Sequence, residues 1–120
     1  MKILVVDDER AMRAIVVRAL SALDRFAGAT IVEAADGKQA FAAVQSGSPD
    51  LVLSDWNMPE MTGIELLQAL NDAGMTPVFG FVTSGLTSEM HELAKANGAR
   101  FVVSKPFTPA ALDEALAGAL

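Results

Sequence analysis

Six polar side chains stand just after short apolar runs in this 120-residue chain. Asp7 and Asp8 follow Ile3-Leu4-Val5-Val6, and Asp55 follows Leu51-Val52-Leu53 and Ser54. Thr83 and Ser84 follow the run from Val78 to Val82, and Lys105 follows Phe101-Val102-Val103 and Ser104. If those runs lie side by side in one sheet, three carboxylates, two hydroxyls and one ammonium meet at one edge. Two carboxylates ~4 Å apart repel by roughly 4 kcal/mol at an effective dielectric near 20. Such a group needs a counter-cation or must take up protons. Lys105 supplies one positive charge. An all-oxygen acidic site without His or Cys suits a hard divalent ion, Mg²⁺ above all, which leaves room for a phosphate oxygen. The chemistry indicated is phosphoryl transfer, and a carboxylate can itself be the nucleophile that forms an aspartyl phosphate.

The elements needed to position these groups are legible as an alternation of strand and helix. Ile3–Val6 reads as a strand buried on both faces. From Glu9 to Arg25 the apolar residues Met12, Ile15, Val16, Ala19, Leu20 and Leu23 recur at helical spacing, which predicts a helix with that stripe in the core. Gly28 ends it, and Thr30–Glu33 alternates as an edge strand would. Asp36 and Gln39 predict a capped helix running to about Gln45, with Ser46-Gly47-Ser48-Pro49 as a turn. Leu51–Leu53 is a third strand. Thr62 and Glu65 form a capping box for a helix that turns Ile64, Leu66, Leu67 and Leu70 inward. Pro77 opens a fourth strand, Val78–Val82. A helix from about Thr87 ends near Asn97 and Gly98. Phe101–Val103 is the fifth strand, and Thr108 with Pro109 starts the last helix. Strands alternating with helices in this way predict an α/β fold: a doubly wound, five-stranded parallel sheet covered on both faces. In that class the strand order is 2-1-3-4-5, and ligands bind beyond the carboxyl ends of the strands.

Composition excludes several classes. The chain is 52% hydrophobic and 20% charged, which is material for a core and argues against disorder. Lys and Arg total 9 against 15 Asp and Glu, a net charge of -6, so phosphate-rich partners are repelled: no nucleic acid and no anionic membrane surface are expected. Cysteine is absent, which removes disulfides, thiolate metal sites and cysteine nucleophiles. No signal peptide and no spanning segment are legible, so a cytoplasmic location is expected. The turn Val6-Asp7-Asp8-Glu9-Arg10 has no glycine, which argues against a dinucleotide or flavin phosphate loop, and no P-loop is present.

Each motif alone has a plainer reading. Asp7-Asp8 can be a solvated turn or helix cap, and Thr83-Ser84 can be turn chemistry. Trp56 is expected to pack at the rim of the site, Met58 and Met61 to pack in a loop, and His91 to lie on the surface.

Taken together, Val5-Val6-Asp7-Asp8, Leu53-Ser54-Asp55-Trp56-Asn57-Met58-Pro59 with Gly63, Val82-Thr83-Ser84 and Lys105-Pro106-Phe107 resemble the receiver domain of bacterial two-component response regulators. The resemblance spans the whole chain, a single receiver domain over residues 1–120 with no output domain, and is greatest to the stand-alone chemotaxis type. It implies a flavodoxin-like three-layer sandwich. It implies that Asp55 is the phosphoacceptor, charged by a sensor histidine kinase, a histidine phosphotransfer protein or a small donor such as acetyl phosphate. Asp8, Asp55 and the backbone carbonyl of Asn57 would bind Mg²⁺ directly, and Asp7 through a water. Lys105 would pair with a phosphoryl oxygen, Thr83 would swing to hydrogen-bond it, and the Lys105–Pro106 bond would be cis.

Phosphorylation would alter binding of a downstream protein at the face of the fourth helix, fifth strand and fifth helix, in a monomer or weak dimer. An intermediate carrier or phosphate sink in a relay uses the same residues. The chain is not expected to be an enzyme beyond its own phosphorylation and self-dephosphorylation. A Mg²⁺-dependent phosphatase usually places a second acid two positions after the nucleophile, where this chain has Asn57.

Two departures stand out. The position three before the lysine, usually aromatic in relatives, is Val102, with Phe101 on the opposite face of its strand. Relatives usually place the proline that opens the fourth strand, here Pro77, one residue nearer the threonine, so Phe79-Gly80-Phe81 looks one residue long, which predicts a bulge at Gly80.

Overall fold

The five apolar runs form one parallel sheet in a computed structural model that describes all 120 residues. The strands are β1 (Lys2–Val6), β2 (Thr30–Ala34), β3 (Leu51–Ser54), β4 (Val78–Thr83) and β5 (Phe101–Ser104), in the order β2-β1-β3-β4-β5. The helices between and after them are α1 (Arg10–Ser21), α2 (Gly37–Gly47), α3 (Gly63–Asp72), α4 (Ser88–Ala96) and α5 (Pro109–Ala119). Strand order and fold class are as the alternation predicts.

Alternating side chains give each sheet face its own core. Leu4, Val6, Val52, Phe79 and Phe81 point to the side covered by α2, α3 and α4, where they meet Val44, Leu66, Leu70 and Ala94. Ile3, Val5, Leu51, Leu53 and Val103 point to the side covered by α1 and α5, where they meet Val16, Leu20, Leu112 and Leu116. Full burial of one such aliphatic side chain contributes about 1.5–3 kcal/mol. The three central strands are buried at nearly every position, which is why they read as unbroken apolar runs.

Four helices start on side-chain caps. Asp36, Thr62, Thr87 and Thr108 each accept a hydrogen bond from the amide three residues on, and Thr62 with Glu65 completes a capping box. Hydrogen bonds from the Thr62 backbone amide and hydroxyl hold the Glu65 carboxyl below its usual range. Helix α1 differs: its N-cap, Glu9, makes no side-chain cap bond.

The structure corrects four details of the sequence reading. First, α1 ends at Ser21 rather than Arg25, and Asp24–Phe26 form a separate 3₁₀ turn that carries Phe26 into the α1/α5 core. Second, Ile15 belongs to the apolar stripe by spacing but is 48% exposed, because it sits on the first turns of α1 beside the open carboxyl edge of the sheet. Third, α2 runs through Ser46 and Gly47 and stops where Ser48 adopts φ 44. Fourth, Gly80 is not a bulge. The pairing is one-for-one on both sides, Leu53 with Gly80 and Gly80 with Phe101. A side chain at Gly80 would strike the ring of Phe101, so the glycine makes room for an aromatic residue on the neighbouring strand.

Candidate functional site

Each acidic residue is delivered by the end of a central strand. β1 and β3 are neighbours, and the Asp55 amide donates to the Val6 carbonyl at 2.9 Å, which carries the pairing one step past the strands. That step places Asp55 beside Asp7 and Asp8, and carboxylate oxygens of the three lie within 4.8 Å of one another. On the far side, the Lys105 amide donates to the Thr83 carbonyl at 2.9 Å and so extends the β4–β5 pairing. The Lys105–Pro106 peptide is cis.

The charges interlock. Lys105 Nζ donates to Asp7 Oδ2 at 2.8 Å and to Asp55 Oδ2 at 3.3 Å. Asp7 and Asp55 are 2% and 7% exposed, whereas Asp8 stands in solvent at the mouth. Burial pushes the Lys105 ammonium down, but its hydrogen bond to Asp7 and the charges of Asp55 and Asp7 outweigh that and raise its pKa above the ordinary lysine value. The other Asp55 oxygen, Oδ1, accepts from the Trp56 amide at 2.7 Å. The Asp7 carboxylate also accepts from the Glu9 amide at 2.9 Å. One ammonium thus serves two carboxylates, and the third, Asp8, has no basic side chain paired with it.

A cleft of about 480 Å³ opens over Asp8, Asp55 and Lys105. Asn57 and Ser84 also line it. Thr83 does not: it is fully buried, and its hydroxyl donates to the Ser84 carbonyl at 3.3 Å. The first turn of α3 buttresses the site from below. The Gly63 amide donates to the Trp56 carbonyl at 2.8 Å, and any side chain at Gly63 would collide with the Asp55 carbonyl.

A family model described as the response regulator receiver domain matches residues 3–117. The chain belongs to the response regulator receiver family. The chemotaxis protein CheY of Pseudomonas aeruginosa is 41% identical over 118 residues, covering 95% of this chain and 91% of that protein. The chemotaxis protein CheY1 of Helicobacter pylori is 37% identical over 120 residues, covering 97% of this chain and 94% of that protein. Among solved structures, the chemotaxis protein CheY4 of Vibrio cholerae superimposes with a TM-score of 0.86 at 34% identity, covering 99% of this chain and 98% of that one.

As a receiver domain, the chain places its four marker segments at four strand ends around one cleft. Other contributors to the cleft did not stand out in the sequence. Met12, Ile15 and Phe107 form an apolar wall beside the carboxylates. By spacing, Met12 and Ile15 look like core residues, and nothing in a single sequence separates the outer flank of a helical stripe from its centre. Trp56 corrects the expectation of a rim position. It is 8% exposed and packs on Phe81 with ring centroids 4.8 Å apart, so the residue after Asp55 anchors the site into the core. His91 lies on the exposed side of α4 and takes no part in the site.

Proposed function

We propose that this receiver domain is phosphorylated on Asp55 and that the modification switches its binding to a downstream protein. The observation that carries the reading is the fixed carboxylate of Asp55, with Oδ1 held by the Trp56 amide and Oδ2 beside Lys105 at the floor of an open cleft. An Asp55 oxygen attacks the phosphorus of a phosphohistidine or an acyl phosphate. The new P–O bond forms as the bond to the donor breaks, and the donor's leaving group keeps the electron pair. Lys105 pairs with the charge that builds on the phosphoryl oxygens, and Thr83 exchanges the Ser84 carbonyl for one of them.

The donor set fits Mg²⁺: three carboxylates whose oxygens lie within 4.8 Å of one another, with no nitrogen or sulfur ligand among them. Asp8, Asp55 and the Asn57 carbonyl would hold it, with Asp7 acting through a water. When bound, the ion neutralises charge on the phosphoryl group. Forming the aspartyl phosphate replaces the single charge of the Asp55 carboxylate with about two on the phosphoryl group, Lys105 and one divalent cation offset most of the total, and hydrolysis resets the switch.

The histidine protein that charges Asp55 reaches it through the cleft mouth. The downstream protein binds at the face of α4, β5 and α5. Val102 on that face is half-buried and non-aromatic, so the readout rests on the backbone after Thr83 and on α4 itself. No helix is long and apolar enough to cross a membrane, and we place the protein in the cytoplasm.

Incubation with Mg²⁺ and acetyl phosphate is expected to add one phosphoryl mass to the intact protein by mass spectrometry. Asp55→Asn is expected to stay unmodified. An equal mass gain in that variant would overturn the assignment.

A further inference from the structure

Asp8 is the most exposed of the three carboxylates, yet the cation reading requires it to hold a fixed position. What fixes it is the peptide before it. The Asp7 amide donates to the Ala34 carbonyl at 3.2 Å, and Arg13 Nη1 donates to the Asp7 carbonyl at 2.7 Å. That carbonyl belongs to the Asp7–Asp8 peptide, so the guanidinium sets the plane from which the Asp8 side chain leaves the backbone. Arg13 Nε in turn pairs with Glu33 Oε1 at 3.0 Å. The Arg13 side chain is 15% exposed, and Glu33 sits on the edge strand β2, opposite Val5. One planar fork therefore ties α1, the end of β1 and the edge of the sheet to a single peptide group. A lysine ammonium does not offer the same fixed pair of directions.

We propose that Arg13, oriented by Glu33, is a positioning residue for the acidic cluster and sets its affinity for a divalent cation. This rests on the reading of the cluster as a cation site. Arg13 touches neither the phosphoryl group nor the metal. It acts through the Asp7–Asp8 peptide, as partners behind first-contact ligands do at other metal sites.

The test measures Mg²⁺ binding to folded, unphosphorylated protein by calorimetry and by Trp56 fluorescence, alongside amide chemical shifts of metal-free protein. Arg13→Ala is expected to weaken Mg²⁺ binding about tenfold, the lower end of the range for such outer partners. The Asp8 and Glu9 amide resonances are expected to shift or broaden before any metal is added. Arg13→Lys is expected not to restore affinity. Glu33→Gln, an exposed change on an edge strand, is expected to fall between wild type and Arg13→Ala, and it keeps the test open if the alanine variant fails to fold. At saturating Mg²⁺ the extent of phosphorylation by acetyl phosphate is expected to recover in both. Variants that melt at lower temperature yet bind Mg²⁺ as tightly as wild type would overturn the proposal and leave Arg13 a tether between helix and sheet. Absence of Mg²⁺ binding in wild type would instead remove the cation reading beneath it.

Discussion

Lys105 is where the electrostatics of the cleft are most exposed to test. Its ammonium is held between Asp7 and Asp55, and its pKa is raised although burial opposes this. A raised value in the folded state means that the pairing stabilises the fold below the ordinary lysine pKa of about 10.4. Above that pH the unfolded chain sheds a proton that the folded chain still holds, so stability falls as pH rises through the folded value. The chain has no tyrosine, so lysines dominate the titration in this range. Urea unfolding at successive pH values from 9 to 11 is expected to show a steeper loss of stability for wild type than for Lys105→Met. Parallel curves would mean that the ammonium gains nothing from its neighbours. The variant is also expected to lose phosphorylation-dependent binding while remaining folded, because the side chain serves the cleft and packs little of the core.

The helices and strands differ in how far a single sequence exposes them. Caps at Asp36, Thr62, Thr87 and Thr108 are local chemistry, so these helix starts were legible within a residue. The central strands were legible because burial on both faces leaves an apolar run. Ends and exceptions depended on distant partners. α1 stops early because Phe26 is drawn into the core, and Ile15 leaves the core because the sheet ends beneath it. Neither partner lies within a helical turn of the residue it affects. Gly80 shows the same dependence: the longer proline-to-threonine spacing than in relatives suggests an inserted residue, whereas the pairing is regular and the glycine makes room for the ring of Phe101 across the ladder. In the site, Asp7, Asp8, Asp55 and Lys105 could be placed because strand ends converge by topology, but Arg13 could not, since its target is a backbone carbonyl. The Gly80 contact makes a clean cycle. Gly80→Ala is expected to cost about 1–3 kcal/mol, as overpacking does. Adding Phe101→Leu is expected to return part of that loss, giving a coupling of at least about 0.5 kcal/mol between the sites. Additive losses in thermal or urea unfolding would place the strain somewhere other than the ring.

At the scale of the whole molecule, the site sets function against stability. The chain carries a net charge of -6 and gathers three of its carboxylates at one edge. Lys105 pairs with Asp7 and Asp55, and Arg13 pairs with Glu33, so Asp8 adds negative charge with no cation of its own in the fold. Without metal, Asp8→Asn is therefore expected to stabilise the protein by up to about 1 kcal/mol, the scale of a solvent-screened pair. For a domain of this size that is a rise of a few degrees in melting temperature. With Mg²⁺ at about a hundred times its dissociation constant, wild type is expected to gain about 2.7 kcal/mol from binding to the folded state alone. The variant, lacking a charged ligand, is expected to gain much less. The order of stability thus reverses with added metal, and paired calorimetric scans with chelator and with Mg²⁺ read it directly. A variant already less stable in chelator would show that Asp8 holds the start of α1 together, and the repulsion assigned to it would then be too small to matter. The reversed order instead identifies Asp8 as a residue kept against the stability of the metal-free fold, which only a ligand arriving from outside the chain can justify.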